Sequence, residues 1–479
     1  MNELKDFRSF LRDYRQAYPQ DFVEIDRSVK CALEINAVMV QFEKLQKFPL
    51  LKFNQPETLS GNLSPFPVVA NTLGDRRKLA FAIGSTFRNV GLDWTRLASQ
   101  PGADPVVVPR SEAPNKYAVY MGDEVDLGKF PAVHHFPMDP GAYVTSGMFT
   151  CYDPETWTDN CALHRGYFAG PREIRVFLSA NTHNLFNLQA HERLGEPMKC
   201  AFWFGHHPSV LMGGHTKRGY PGSHYEAAAN VLGQPLRLTP SETLGDDFLV
   251  PAEAEFVIEG IIQPGNWAPE GPFGEYPRYY GPQVLSPVMD VTAVTHRENA
   301  LWDTISAGVN VAYSGVKQEQ TVYQAVKRVV PQVTTVHCPE SGRGCFHAYI
   351  QLKKTHDGQP KDAIMAALSA PGGRTKHAIV VDDDIDVFDE RAVLWAVATR
   401  SQWDRDLVVI PGCSGPPLDP SNRAPALTAK GGIDATKPAG ARSFAMTLTV
   451  PPEVTEQVRL NKLLTRETLA AIPESLREV

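Results

Sequence analysis

The chain has no pair of cysteines at the two-residue spacing of a zinc ribbon: its seven, Cys31, Cys151, Cys161, Cys200, Cys338, Cys345 and Cys413, are odd in number and scattered over 479 residues. That pattern argues against both a structural zinc site and a disulfide framework, and points to reduced thiols in a cytoplasm. No stretch approaches the roughly 18 apolar residues of a membrane span, and MNELKDFRSFLRDYRQ at the start is charged throughout, unlike a signal peptide. Like charges are never gathered into a block of five or six, and 47 Lys and Arg against 54 Asp and Glu give a net charge of −7. Nucleic acid is therefore not an expected partner. Internal repeats and low-complexity tracts are also missing. What remains is a cytoplasmic protein whose ligand is small.

Length and a hydrophobic content of 43% provide for about three domains with real cores. Residues 1–115 read as an N-terminal α/β domain. Leu4, Phe7, Phe10, Leu11 and Tyr14 recur at helical spacing, Leu33 to Phe42 resumes it after an extended VEID, and NTLGDRRKLAFAIG (71–84) starts a helix behind Asn71 or Thr72. A further helix is expected at 94–99, and prolines crowd from Pro101 to Pro140. Residues 116–315 read as a barrel-like domain, because EIRVFLSA, PSVLMGG, AEFVIEGIIQPG and MDVTAVTH are β-rich runs without regular helices between them. Residues 316–450 return to α/β, where HAIVVDDDIDVFDERAVLWAVATR gives a buried strand, an acidic loop and a helix opening near Asp389. DDDIDVFD lacks the Gly-then-Glu spacing of a calcium loop, and a helix start flanked by acids suits it better. Residues 451–479 form a helical segment whose apolar Val454, Val458, Leu460, Leu463 and Leu464 dock on this chain or on a partner subunit.

The chemistry centres on PEGPFGEY (269–276), where Glu270 and Glu275 flank Gly271, Pro272, Phe273 and Gly274 on a path that no ordinary helix follows. Taken alone, a turn with two exposed acids is the plainer reading. Upstream, DNCALHR supplies Asn160 and Arg165, ANTHN supplies His183 and PSET supplies Glu242. Asparagine, imidazole and one carboxylate make a mixed set suited to Mn²⁺ or Mg²⁺. Two neutral ligands and one carboxylate leave such an ion at net +1, still able to attract a phosphate. By spacing alone the trio competes with satisfied polar residues, and His206, His207, His215 and His224 are equally available. A flat strand over 160–165 would also point Asn160 and Arg165 to opposite faces, so both reach one site only if the strand bends or ends there.

In this order the motifs resemble the UbiD family of reversible decarboxylases, which use prenylated flavin mononucleotide (prenylated FMN). Asn160 and Arg165 keep the family's Asn-x4-Arg spacing, His183 follows 18 residues later, and VPAEAEFVIEG leads into EGPFGE. LGDRRKLAFAIG near the start and VVDDDIDVFDERAVLWAVATR near the end extend the likeness over most of the chain. The resemblance implies a multidomain α+β / α/β fold with a central split β-barrel-like cofactor domain, flanked by N- and C-terminal α/β segments and a C-terminal helix. It implies that Asn160, His183 and Glu242 hold Mn²⁺ (or Mg²⁺) against the flavin phosphate, with K⁺ nearby. It makes Arg165, Glu270 and Glu275 the catalytic network, with Glu275 as acid/base, Arg165 orienting it and meeting the substrate carboxylate, and Glu270 supporting network and cofactor. Leu163 and Thr182 join the cofactor-binding residues, with Tyr276 and His164 as further wall candidates.

The reaction so implied is reversible, non-oxidative loss of CO₂ from an aromatic, heteroaromatic or α,β-unsaturated carboxylic acid through a covalent adduct with prenylated FMN, with a leaning to a hydroxylated benzoate or heteroaromatic acid. The expected partners are that acid and CO₂, a separate flavin prenyltransferase that makes the cofactor, and further copies in a homodimer or larger oligomer. Lys217 and Arg218 suit an extra acidic substrate group or a solvated loop, and Lys376 a phosphate or the surface. Two alternatives stand beside this reading: a metal-dependent hydrolase without flavin, and a catalytically silent subunit, against which the intact Arg165, Glu270 and Glu275 speak.

Overall fold

Two long strands, Phe256–Glu270 and Val284–His296, pair antiparallel at the centre of a nine-stranded sheet. The computed structural model to which they belong describes residues 3–100, 102–179, 182–424, 426–440, 444–459 and 463–471. Beyond Val284–His296 come Glu173–Val176, Gly166–Gly170 and Tyr143–Val144, with Ala118–Met121 as a side branch. Beyond Phe256–Glu270 come Met198–Phe204, Met148–Tyr152 and Asp159–Leu163.

Chain connectivity rolls this sheet up. Asp159–Leu163 lies at one end of the strand order and Gly166–Gly170 next to the other end, yet only His164 and Arg165 join them. At ~3.5 Å per residue, the two ends approach to about 10 Å. Residues 145–147 cross the same gap, and the His164 N–H donates to the Gly147 carbonyl at 3.3 Å. Among the described residues no strand pairing closes the seam. The result is the split, barrel-like sheet that the resemblance implied. Val144, Ile174, Phe202, Ile258 and Met289, drawn from both halves, meet in one buried cluster.

The outer face of the sheet is covered by helices. Trp203, Leu211, Tyr225 and Leu79 pack there with Phe10 and Tyr14 of helix Phe7–Ala17. PSVLMGG, expected as a strand, is one of these covering helices, Pro208–Gly214. All seven of its residues are buried, and an apolar run buried on every side carries no periodicity to separate strand from helix. Pro208 sits at the helix start, where its missing N–H costs nothing. Helices His183–Leu194 and His224–Leu232 likewise interrupt a region read as strands alone.

Two smaller sheets flank the rolled one. Phe22–Lys30, Leu50–Glu57 and Val68–Ala70 form a four-stranded sheet completed by the distant Trp302–Thr304. Its helix Arg76–Ile83 is capped by the Asp75 side chain, not by Asn71 or Thr72. The C-terminal sheet has five strands, and helix Glu390–Arg400 opens behind Asp389 as expected. The acids before it are held by arginines: Arg400 reaches Asp382 and Asp384, each at 2.8 Å, and Arg88 reaches Asp386. The C-terminal segment forms short helices at Pro452–Gln457 and Arg466–Ala471 rather than a single one. Val454, Val458 and Leu463 stand exposed there, and Leu460 lies outside the described residues. All seven cysteines are free thiols, and among the described residues no helix is long and apolar enough to cross a membrane.

Candidate active site

The strand that carries Asn160 ends at Leu163, and this removes the geometric objection to Asn160 and Arg165 sharing one site. Arg165 lies in the two-residue seam crossing, free of the strand's alternation. Its guanidinium is sandwiched between the rings of Phe177 and Phe273, with centroids at 4.0 and 4.5 Å. It donates to both oxygens of Glu270, Nε at 3.0 Å and Nη2 at 2.8 Å, while Nη1 donates to Glu275. One arginine thus bridges both acids of the EGPFGE stretch. Bidentate pairing of this kind fixes direction as well as charge.

The loop that presents the acids is built to be stiff. Gly271 has φ +87°, and a Cβ there would stand 3.1 Å from the Pro282 carbonyl. Phe273 and Gly274 pair with Gly281 and Tyr280 in a small hairpin. The buried Asp139 accepts from the Gly274 and Phe136 N–H groups at 2.9 and 3.0 Å. From the C-terminal region, Arg343 donates to the Tyr276 carbonyl at 2.8 Å and to that of Gly308 at 2.7 Å.

The two glutamates differ in environment. Glu270 is fully buried and also accepts from the Tyr143 hydroxyl at 2.8 Å. Glu275 keeps 12% of its side chain exposed. Burial pushes the Glu275 carboxyl above the usual carboxylate range, Arg165 pulls it down less strongly, and the negative Glu270 adds to the rise. The arrangement separates a carboxyl whose pKa is raised from a second one held by two donors, Arg165 and Tyr143.

Of the expected metal set, the structure brings two members together. Asn160 is buried, and its Nδ2 donates to Asn184 Oδ1; Asn184 follows His183, the first residue of helix His183–Leu194. Thr182 caps that helix, accepting from the Leu185 N–H at 3.4 Å. The Asn160 amide is thereby oriented with its carbonyl oxygen left for another partner. His183 is half-buried, and desolvation lowers its pKa, which keeps the imidazole neutral as a ligand requires.

Glu242 is elsewhere. Its N–H donates to Glu259 at 2.8 Å, and its carboxylate faces Lys116 at 3.2 Å and Arg110 at 3.7 Å. Glu259 is in register with Ala201, Thr150 and Cys161 on successive strands, three spacings of about 4.8 Å from the strand of Asn160. The SET stretch is therefore anchored roughly 14 Å away, on the face that Cys161 shares rather than the one Asn160 shares with Cys151. The carboxylate on the helix that abuts this edge is Glu226. Helix His224–Leu232 is pinned by its start to Asp159, which accepts from Ser223 Oγ at 2.6 Å and from the N–H groups of His224 and Tyr225 at 2.8 and 2.9 Å. The His224 ring lies 6.2 Å from that of His183. Among the described residues no cage of three His, Cys, Asp or Glu side chains is gathered.

The remaining candidates sort by contact. Leu163 packs against the buried cluster on the outer face of the sheet. His164 accepts no proton readily, because burial lowers its pKa to about 4; Nδ1 meets the Phe177 carbonyl at 2.9 Å and Nε2 has no partner. Tyr276 lies under Arg374, whose guanidinium stands 5.9 Å from the ring centroid. Lys376 is engaged by Asp419 at 2.7 Å, and Arg218 by Glu226 at 3.4 Å. Tyr143, Asp139, Phe177 and Phe273 went unread as site residues, since hydroxyls and rings of this kind occur throughout the chain and only the fold selects these.

Three family models match the chain in succession. They are the N-terminal domain of 3-octaprenyl-4-hydroxybenzoate carboxy-lyase, UbiD, at residues 16–94, its Rift-related domain at 106–310 and its C-terminal domain at 313–435. The anhydromevalonate phosphate decarboxylase of Methanothermobacter thermautotrophicus is 32% identical over 384 residues, covering 80% of this chain and 88% of that protein. Among solved structures, the UbiD-class enzyme HmfF from Pelotomaculum thermopropionicum in complex with FMN is 32% identical with a TM-score of 0.88, over 96% of this chain and 100% of that one. An evolved dimeric form of HmfF in complex with prFMN is 31% identical with a TM-score of 0.83, again over 96% and 100%.

Proposed function

The chain belongs to the UbiD family of carboxy-lyases, and from that premise we propose that it decarboxylates a small unsaturated carboxylic acid with the aid of prenylated FMN. The observation that carries this reading is the Glu270–Arg165–Glu275 network, with the Glu275 side chain partly exposed and its pKa raised by burial. Loss of CO₂ from an sp² carbon leaves an electron pair that no side chain can accept, and the flavin supplies that sink. Arg165 orients Glu275 and meets the substrate carboxylate. Glu275, protonated, delivers its proton to the carbon from which CO₂ has left, and Glu270 holds Arg165 in place with the help of Tyr143. Phe273 and Phe177 keep water away from the guanidinium.

Asn160 and His183 are the residues suited to hold a divalent ion beside the flavin phosphate, with Glu226 in the place expected for Glu242. A separate prenyltransferase makes the cofactor. The relatives named as anhydromevalonate phosphate decarboxylases tip the substrate toward an α,β-unsaturated acid and away from a hydroxylated benzoate or heteroaromatic one.

The test is chemical. Protein co-expressed with a flavin prenyltransferase is denatured, and the small molecules released are read by absorption and mass spectrometry. Prenylated flavin together with manganese is expected, and metal without flavin would move the reading to the hydrolase. Glu275→Gln is expected to keep the flavin and to lose at least about 100-fold in turnover, the scale of a general acid. A variant that kept most of its rate would remove Glu275 from that role.

A further inference from the structure

Glu43 belongs to the N-terminal helix Glu34–Lys44, yet its carboxylate joins three regions of the chain. Only 9% of the side chain is exposed. One oxygen accepts from Arg278 Nη2, in the turn that follows Glu275. The other faces Arg343 Nη1 at 3.5 Å, in the C-terminal region behind the short turn Glu340–Gly342. Both arginines hold the backbone around Glu275. The Glu275 N–H donates to the Tyr279 carbonyl at 3.0 Å and its carbonyl accepts from the Arg278 N–H at 2.9 Å, so both of its backbone polar groups are engaged by Arg278 or the next residue. Arg343 carries the Tyr276 carbonyl on Nε and the Gly308 carbonyl on Nη2. Gly308 is close enough that a Cβ there would stand 3.7 Å from the Glu275 carbonyl oxygen.

A second observation marks the same pair of arginines. Arg278 has φ +69° and Arg343 φ +53°. A residue with a Cβ adopts that left-handed backbone at a cost, and keeps it where its surroundings over-determine the conformation. Two guanidinium groups converging on one buried carboxylate supply that constraint. Glycine would fit either position without strain but would have no side chain to reach Glu43. The Glu275 carboxyl meets Arg165 Nη1 from this turn, so where the turn sits decides where the carboxyl sits.

We propose that Glu43 is a positioning residue for Glu275, acting through Arg278 and Arg343 to fix the turn from which Glu275 reaches the reacting carbon. Glu43 itself touches no reacting group; it tethers the hairpin of the rolled sheet to the N-terminal helix and to the C-terminal region at one point. The proposal rests on the reading of Glu275 as the proton donor, and it adds a residue about 230 positions away on which that role depends.

The experiment uses full-length holoenzyme with wild-type sequence, Glu43→Ala, Arg278→Gly or both. Amide hydrogen exchange, read by mass spectrometry on the peptide covering residues 270–281, reports how often the turn opens and needs no substrate. Exchange there is expected to quicken at least about tenfold in each variant, the scale of a hydrogen bond to a charged group, while strands Met148–Tyr152 and Met198–Phe204 keep their wild-type rates. Initial CO₂ release from pent-2-enoic acid gives kcat and KM, and absorbance gives the flavin content. At unchanged flavin content kcat is expected to fall at least about tenfold, the scale of a misplaced catalytic group, with KM little changed. The double variant should fall no further than the slower single one, since both substitutions cut the same tether. Wild-type exchange in both single variants overturns the proposal. So does faster exchange with an unchanged kcat, and so do single losses that multiply in the double variant. If Glu43→Ala exchanges faster throughout the chain, Arg278→Gly, on the half-exposed turn, decides alone; if wild-type protein releases no CO₂ from this acid, exchange decides alone. Glu275→Gln run alongside separates the two readings. Loss of rate there, with none in the tether variants, sinks the role of Glu43 and leaves that of Glu275 standing, whereas a full rate there sinks the proton donor and the positioning role with it.

Discussion

At Arg165, the rings of Phe177 and Phe273 do what water would otherwise do for a guanidinium, and do it without competing for its donors. All of its directional bonding therefore goes to Glu270 and Glu275. The consequence for pH follows from the sign of the Glu275 shift. Its folded pKa lies above the usual carboxylate range because burial outweighs Arg165. An enzyme that needs this group protonated loses rate as pH rises through the raised value. Log turnover is expected to fall with unit slope on that alkaline side, measured as initial CO₂ release from holoenzyme across pH. The limb should vanish in whatever residual rate Glu275→Gln retains, and a limb that persists unchanged there would belong to another group.

Among the elements, strand Trp302–Thr304 is small but carries a titration of its own. It pairs in parallel with Val68–Ala70 and ties the polypeptide after the rolled sheet back to the N-terminal sheet. Its middle residue Asp303 is buried, accepts from Thr72 Oγ1 at 3.0 Å and has its pKa raised to about 7, chiefly by burial. A carboxyl with a raised folded pKa favours the fold below its unfolded value near 4, and that advantage is lost as pH climbs through about 7. At pH ~8 the ionised group costs the fold on the order of 4 kcal/mol. The urea midpoint is therefore expected to fall between pH ~5 and ~8. Asp303→Asn, which keeps an acceptor for Thr72, should flatten that fall; equal slopes in the two proteins would assign it elsewhere.

Across the whole molecule, the ends of the chain are joined by ion pairs of unequal weight. Arg76 on the N-terminal helix Arg76–Ile83 pairs at 2.6 Å with Glu319 on helix Ala312–Val329, both nearly inaccessible to water. Glu319 also meets His337 Nδ1 at 2.7 Å. Arg88 and Asp386 make a similar contact with both side chains exposed. Arg76→Met strands a buried carboxylate and is expected to cost about 3–5 kcal/mol, whereas Arg88→Ala should cost under about 1 kcal/mol. Thermal unfolding of the two variants in parallel checks this, and similar losses would mean that burial does not set the scale here. The sequence by itself determined the local facts: the helices of Phe10 and Tyr14 and of Asp389, the free thiols, and the two acids and arginine of the site, because caps, turn residues and spacing act over a few positions. Its reading failed where neighbours in space decide. PSVLMGG is a helix because it is buried on every side, and Glu242 is anchored about three strands from Asn160 because of the sheet's register. Only the tertiary structure rolled the sheet so that a two-residue crossing carries Arg165 into the seam, and only it gathered Tyr143, Phe177 and Phe273 around the Glu270–Arg165–Glu275 network. Those residues are far apart in the chain, and it is packing over long sequence separations, invisible to any local pattern, that makes them one site.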